Sequence, residues 1–314
     1  MPSRWMSLTI VAGWLVSMCW LFWHDLWPSW RPGEPPPFHI DLVEEVQRTN
    51  KLRNNWTVLQ QKPGEPEPHE IFRAFTSVEY VKDDTFLLRA EYNTKKGRTS
   101  KVRSFEVAGF RVVSMTSEYR VDRAGELRSL RAEIQVRPRE QLEKVMAWMG
   151  HEGPESRLLL WGEVRGNQLF THCRGSLVSE ARSVELNLPP APVPHNGSVI
   201  MPLHPVNRIH GLRPGQSWRQ PMIDPFRDAF AVLPGISGGV SYVNARVLPE
   251  PQVLELAPNV QARCLVIEYE EDGKSIGSTW VEEGSERVQR QEAVLEGDRW
   301  IMQRDFVNRR AMAP

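Results

Sequence analysis

Hydrophobic residues recur at every second position along most of the chain after Trp56, with aromatic and β-branched residues prominent among them. One segment places Val113, Met115, Tyr119 and Val121 in this pattern. Because alternate residues of a strand face opposite sides of a sheet, this spacing predicts β-strands. The clearest predicted strands are residues 127–136, 158–164, 169–173, 184–188, 239–248, 264–270, 276–282, 288–295 and 300–306. The pattern predicts a mainly β protein.

Two segments depart from this period. Residues 139–150 carry Leu142, Val145, Met146 and Met149 at the spacing i, i+3, i+4, i+7, which predicts a helix. Residues 40–52, which place three apolar side chains among charges, are compatible with a second short helix. We therefore expect one or two short helices beside the strands.

Prolines divide the β-rich chain into two halves. Thirteen of the 25 prolines fall between Pro189 and Pro258, and such a density predicts an irregular connector. We assign residues 38–188 to a first β-rich half, 189–215 to the connector and 216–314 to a second β-rich half, and we expect both halves to share one domain.

The N-terminal segment differs from the rest. Residues 5–23 carry no charge and are long enough as a helix to cross a bilayer, with tryptophans at both ends and Arg4 on one flank. We therefore expect a transmembrane anchor at residues 1–25 with a cytoplasmic N-terminus, followed by a Pro-rich linker at 26–37. Three alternatives remain open: a cleaved signal peptide, a lipoprotein signal that ends at Cys19, and an apolar core helix.

Net charge argues against one class of partner. The chain has 39 basic and 39 acidic residues, whereas a general nucleic-acid binder carries a basic excess. Charge is nevertheless uneven, with +7 over residues 95–139 and −8 over residues 250–298. Two solvated strand faces are the simpler explanation, and a binding surface is the alternative.

The motif with the closest match to catalytic chemistry is Gly235-Ile236-Ser237-Gly238-Gly239, which fits the G-x-S-x-G pattern of a nucleophile elbow. An elbow needs a helix after the serine, and the residues that follow predict a strand instead. His204 and His210 come close in sequence, but no further metal ligands accompany them. We expect no catalytic residue, no metal site and no cofactor, and keep a serine esterase as the alternative.

Two sets of residues remain as structural candidates. Cys173 and Cys264 lie outside the predicted anchor, where an oxidising compartment would let them pair, although two buried free thiols are the alternative. Strand alternation assigns Trp218, Trp280 and Trp300 to inward faces. They are therefore predicted to form either a packed core or an apolar ligand groove.

The second half resembles a known pattern. Leu212-Arg213-Pro214-Gly215-Gln216-Ser217-Trp218, Thr279-Trp280-Val281 and Val288-Gln289-Arg290-Gln291-Glu292 resemble uncharacterised membrane-anchored exported proteins of planctomycete-type bacteria. The resemblance covers roughly residues 200–306. It implies a curved antiparallel sheet or half-barrel similar to that of the lipoprotein carriers LolA and LolB, and it transfers no catalytic residues. The chain departs from the pattern by inserting Glu283-Gly284-Ser285-Glu286 and by lacking a lipidated cysteine of the usual kind.

Together these observations predict a bacterial inner-membrane protein with a single span and its β domain in the periplasm or outside. We expect this domain to bind an envelope protein or a lipid-like apolar ligand without transforming it. A purely structural envelope spacer is a further alternative, and it predicts no concave apolar surface.

Overall fold

The computed structural model describes residues 4–22, 42–43, 46, 54–93, 106–107, 110–123, 125–138, 144, 156–176, 184–193, 207–222, 241–295 and 297–306. Helix α1 (Arg4–Leu21) precedes the strands. In chain order the strands are β1 (Asn54–Gln61), β2 (His69–Lys82), β3 (Thr85–Asn93), β4 (Glu106–Val107), β5 (Phe110–Asp122), β6 (Leu127–Pro138), β7 (Ser156–Arg165), β8 (Gln168–Ser176), β9 (Val184–Asn187), β10 (Ala191–Pro192), β11 (Ser217–Met222), β12 (Ser241–Val247), β13 (Gln252–Ala257), β14 (Val260–Glu271), β15 (Lys274–Glu282), β16 (Val288–Leu295) and β17 (Asp298–Arg304).

All of these strands join one large, open antiparallel sheet, which confirms the predicted mainly β class. Its spatial order is β11, β12, β14, β15, β16, β17, β1, β2, β3, β5, β6, β7, β8 and β9. Three further strands each pair with an edge that another strand also occupies. Strand β13 pairs with β14 on the same edge as β12, β4 pairs with β5 on the same edge as β3, and β10 pairs with β8 on the same edge as β9. The pairing of β1 with β17 joins the two halves of the chain at the centre of the sheet.

One face of this sheet carries a continuous hydrophobic cluster, which we call the main core. It runs across both halves because directly opposed residues on neighbouring strands share a face. One such row reads Trp218, Ala245, Tyr269, Gly277, Ala293 and Trp300. Another reads Trp56, Ala74 and Tyr92. Long-range pairing of distant segments therefore builds the core.

Contacts within the main core also link strands that are not neighbours. The Tyr92 hydroxyl on β3 lies 3.9 Å from the Met302 sulfur on β17, although β1 and β2 lie between these strands. Trp56 is fully buried and donates from Nε1 to the Thr76 hydroxyl at 2.9 Å, which satisfies its polar atom inside the core. Contacts of aromatic side chains therefore stabilise the centre of the sheet.

The residues described within the predicted short helix at 40–52 support that prediction. Leu42, Val43 and Val46 are helical, and all three pack against the main core, Leu42 with only 3% of its surface exposed. The predicted helix at residues 139–150 lies outside the described residues except for Lys144, which is helical.

The opposite face of the second half holds a smaller hydrophobic cluster. It consists of Leu254, Ala262 and Cys264, with Leu256 and Trp280 packed against it. Strand β13, which contributes Leu254, falls in the stretch that the proline density predicted to be irregular. Its flanking Pro251 and Pro258 lie outside the strand, so the prolines bound β13 and do not interrupt it.

Helix α1 presents apolar side chains to its surroundings. Ile10, Trp14 and Val16 each expose more than half of their surface, at 65%, 61% and 69%. Within the described part of the chain, no helix is long and apolar enough to count as a candidate membrane span. The transmembrane anchor predicted at residues 5–23 therefore has no support from the described helix.

Candidate functional site

An open pocket of about 310 Å³ lies at the end of strands β14 and β15, between the sheet and the segment that precedes β11. Its floor is apolar, and its rim carries three carboxylates. The lining residues are Ile209, Leu212, Pro214, Leu265, Val281, Glu282, Glu283, Gly284 and Glu286. This combination of an apolar floor with a few polar groups is typical of small-molecule sites.

One wall of the pocket is an irregular segment, residues 207–216, which we call the strap. Backbone hydrogen bonds tie it to the sheet at both ends: Val288 N donates to Asn207 O at 3.0 Å, and Val247 N donates to Gln216 O at 2.8 Å. Ile209 N donates to Glu286 O at 3.0 Å in between. The strap is therefore held against the sheet on both sides of the pocket.

A side-chain anchor reinforces the start of the strap. Arg304, at the end of β17, donates from Nη2 to the carbonyl oxygen of Asn207 at 3.1 Å and to its side-chain oxygen. The Arg304 guanidinium also lies 4.8 Å from the centre of the Trp56 ring. Because cation–π contact and hydrogen bonds fix the same guanidinium, the strap is coupled to the centre of the sheet.

Glu286 closes the pocket against the strap. His210 Nδ1 donates to Glu286 Oε2 at 2.5 Å, and Gly211 N donates to Glu286 Oε1 at 3.2 Å. Desolvation alone would raise the pKa of Glu286. The hydrogen bonds from His210 and Gly211, with the charges of His210 and Arg208, outweigh it and hold the pKa below its ordinary value. Glu286 is therefore a carboxylate with fixed partners.

The other two rim carboxylates are also occupied. Glu282 Oε2 accepts from Ser285 Oγ at 2.5 Å and from Gln289 Nε2 at 2.8 Å. Glu283 forms an ion pair with Arg263 at 3.0 Å. Since each carboxylate already has partners, the rim is held in place, and the pocket offers a ligand polar and apolar surface in nearly equal parts.

The pocket uses residues that the sequence did not single out as a site. Ile209 is 6% exposed and Leu212 is half-buried, and both pack against the main core although they lie among prolines. Two signals pointed to the region: the acidic excess over residues 250–298 and the pair His204 and His210. The strap, which brings these residues to one place, had no recognisable pattern.

The three candidate tryptophans do not share a face. Trp218 and Trp300 belong to the main core and are 2% and 5% exposed. Trp280 is half-buried on the opposite face, where its ring lies 5.9 Å from the Arg290 guanidinium. Trp280 packs against the smaller cluster because Thr279, its neighbour on β15, occupies the main-core face in the row with Ile267 and Gln291.

The two cysteines are free thiols in separate clusters. Cys173 on β8 belongs to the main core, and Cys264 on β14 belongs to the smaller cluster on the opposite face. Burial raises the pKa of Cys173. Burial, with the charges of Glu282 and Glu283, raises the pKa of Cys264 to about 12. Both are inert thiols in this arrangement.

Of the two sequence motifs with a catalytic or metal-binding interpretation, the structure describes His210, which contacts Glu286 at the pocket. Ser237 and His204 lie outside the described residues. In the part of the chain that the structure describes, no three histidine, cysteine, aspartate or glutamate residues are grouped to hold a metal ion.

Comparisons with protein-family models, with curated proteins and with solved structures found no match.

Proposed function

We propose that this protein is a non-catalytic binding module of the bacterial envelope that takes the apolar part of a lipid-like ligand into the pocket under the strap. The observation that carries the proposal is the pocket itself, with Ile209, Leu212 and Val281 on its floor and carboxylates that already have partners on its rim. An apolar group is the ligand chemistry that such a floor favours.

The size of the pocket distinguishes a small ligand from a protein partner. About 310 Å³ lies at the lower end of the range for small-molecule sites, roughly 300–1,000 Å³. A stable protein interface buries about 800 Å² on each partner, which is much more surface than a pocket of this size offers. A lipid-like ligand therefore fits this pocket better than an envelope protein, and the labelling experiment below distinguishes the two.

The proposal includes a curved sheet of the half-barrel kind. Its support is the Tyr92–Met302 contact, which joins side chains across two intervening strands on the main-core face. The proposal also includes a membrane tether at residues 5–23 with the β domain in the periplasm or outside. Its support is the uncharged sequence of that segment, with tryptophans at both ends and Arg4 on one flank.

Photolabelling tests the proposed site. The full chain, reconstituted in lipid nanodiscs, is incubated with a fatty acid that carries a diazirine, irradiated, and digested for mass spectrometry. We expect the label on peptides from the strap and from residues 281–286. Label confined to other peptides would reject the pocket as the site, and cross-linking of the strap to a co-purifying envelope protein in cells would favour the protein partner.

The tether has a separate test. A reporter that is active only outside the cytoplasm, fused after Pro37, is expected to be active. A mature N-terminus near residue 24 would contradict an uncleaved tether. Because this test does not involve the pocket, its failure leaves the binding proposal standing.

A further inference from the structure

The backbone of Glu286, on the rim of the pocket, is strained. In the described part of the chain, five residues other than glycine have left-handed backbones, and four of them are aspartate or asparagine in the tight turns of hairpins: Asp83, Asp84, Asn259 and Asp272. Aspartate and asparagine tolerate this region because their short polar side chains bond to the local backbone. Glu286, with a φ of 55°, is the exception in residue type. Such strain persists only where surrounding contacts hold it, and it is typical of ligand clamps and switches.

The contacts that hold Glu286 come from three consecutive residues of the strap. Ile209 N donates to the carbonyl oxygen of Glu286 at 3.0 Å, whereas His210 Nδ1 and Gly211 N donate to its two carboxylate oxygens at 2.5 and 3.2 Å. The left-handed conformation of Glu286 and the position of the strap therefore depend on each other. When the side-chain bonds break, Glu286 is free to relax, so the bonded and released arrangements are two distinct states.

The last part of the strap has the features of a hinged segment. Residues 211–215, which we call the flap, begin and end with glycines whose φ values are 70° and 77°. A Cβ atom at Gly211 or Gly215 would meet nothing within 4 Å, so these glycines serve the backbone conformation and not close packing. Leu212 and Pro214 line the pocket, and every flap residue except Leu212 is exposed. Opening of the flap therefore exposes little buried surface.

We propose that the flap regulates the exchange of ligand with the pocket and that Glu286 is the latch that keeps it closed. In the closed state, the Glu286 carboxylate holds Gly211 at the start of the flap, and Leu212 and Pro214 form one wall of the pocket. In the open state, the bonds to the carboxylate are broken and the flap turns outward on its glycines, while Ile209 stays in the main core. The regulation rests on the proposed function for its ligand, whereas the latch is a property of the free protein.

Hydrogen–deuterium exchange tests the latch without a ligand. The full chain in nanodiscs is exchanged at pH 7 and digested, and exchange is followed in peptides that cover the strap. We expect Glu286→Ala, which removes both side-chain acceptors, to raise the exchange rate of the strap at least tenfold. The matched control is Asp272→Ala, the same change at an exposed left-handed residue at the other end of β15, which is expected to alter strap exchange less than twofold.

Two outcomes of this experiment would overturn the latch. One is unchanged strap exchange in Glu286→Ala. The other is a rise that extends equally to peptides from β14 and β15, because that would show a general loss of stability and not a local opening.

A second variant tests the strain. Glu286→Gly removes the same acceptors but adopts the left-handed backbone without steric cost. We therefore expect strap exchange to be at least threefold slower in Glu286→Gly than in Glu286→Ala, although glycine is the more flexible residue. Exchange that is as fast in Glu286→Gly as in Glu286→Ala would contradict a strained latch.

Ligand kinetics test the regulation. Binding of a fluorescent fatty acid to the full chain is followed by stopped flow in the wild type and in Glu286→Ala. Because a gate lies on the path into the pocket and out of it, we expect the association and dissociation rates to rise together at least fivefold, with Kd changed less than twofold. A rise in the dissociation rate alone would make Glu286 an ordinary ligand contact and overturn the gate. If the wild type bound no fatty acid, the proposed ligand would be rejected, and strap exchange in Glu286→Ala would still decide whether the latch exists.

Discussion

Trp218 and Trp280 project from opposite faces of the same sheet. Trp218 packs in the main core with 2% of its surface exposed, while Trp280 is half-buried beside the smaller cluster. We expect Trp218→Ala to lower the free energy of unfolding by about 3–5 kcal/mol, because a buried indole leaves a large cavity. Trp280→Ala is expected to cost clearly less. Urea unfolding of both variants measures the difference, and equal losses would contradict the assignment of faces.

Close packing of β15 against β16 predicts that replacing one glycine destabilises the protein. A Cβ atom at Gly277 would lie 2.2 Å from the backbone oxygen of Glu292, so Gly277→Ala forces the two strands apart. We expect a loss of at least about 1–3 kcal/mol, the usual cost of overpacking. At Gly175 the added Cβ would meet only Leu158 Cδ1 at 3.5 Å, and Gly175→Ala serves as the control. Equal melting temperatures for the two variants would show that the strands are not in this register.

Attachment of the strap through Glu286 predicts a dependence on acid. The pKa of Glu286 is held below its ordinary value of 4.5, so the stabilisation by the His210 contact is complete above that value and is lost as pH falls through the lowered pKa. Because the pair is partly exposed, we expect it to contribute about 0.2–1 kcal/mol to the free energy of unfolding. We expect Glu286→Gln to destabilise the protein at pH 6 and to have a smaller effect at pH 3.

The control for that measurement is Glu283→Gln, which removes a carboxylate from the same turn without touching the strap. Thermal unfolding at both pH values provides the readout. A Glu286→Gln penalty that is as large at pH 3 as at pH 6 would mean that the contact does not depend on the ionised carboxylate.

The free thiols predict slow chemistry in the native state. In a Cys19→Ser background, Cys173 and Cys264 are buried and have raised pKa values, so very little thiolate is present at pH 8. We expect iodoacetamide to modify neither residue in native protein and both after denaturation without reductant. If denatured, unreduced protein contained no free thiol, the two cysteines would be paired, contrary to their separate clusters.

The sequence predicted the strands better than it predicted their arrangement. Alternation of apolar residues located β6, β14 and β15 because the period of two follows from strand geometry alone. It missed β13 because prolines at both ends suggested irregular chain. The pairing of β1 with β17 joins residues about 240 positions apart, as in Trp56 with Arg304, and no local pattern encodes such a pairing.

The candidate site was harder to predict for a related reason. Ile209 and Leu212 read as isolated apolar residues in a Pro-rich stretch, and their role depends on backbone hydrogen bonds to Glu286 and Val247 that only the folded sheet supplies. The sequence also could not place Trp280 in the smaller cluster, because a period of two gives two faces without saying which one forms the main core. Packing across strands decides that choice.

The most direct test of the proposed binding function is the affinity of the full chain for a fluorescent fatty acid when the pocket is blocked. We compare Leu212→Glu and Pro214→Trp, which alter the pocket, with Val253→Glu, which places the same charge on a β13 side chain that is 63% exposed. Melting temperatures show which variants remain folded, and Pro214 lies at an exposed turn where a larger side chain fills the pocket without disturbing the core.

We expect both pocket variants to weaken fatty-acid binding at least tenfold, because a charge or a bulky ring replaces the apolar space, while Val253→Glu binds like the wild type. Unchanged affinity in folded Pro214→Trp and Leu212→Glu proteins would contradict it.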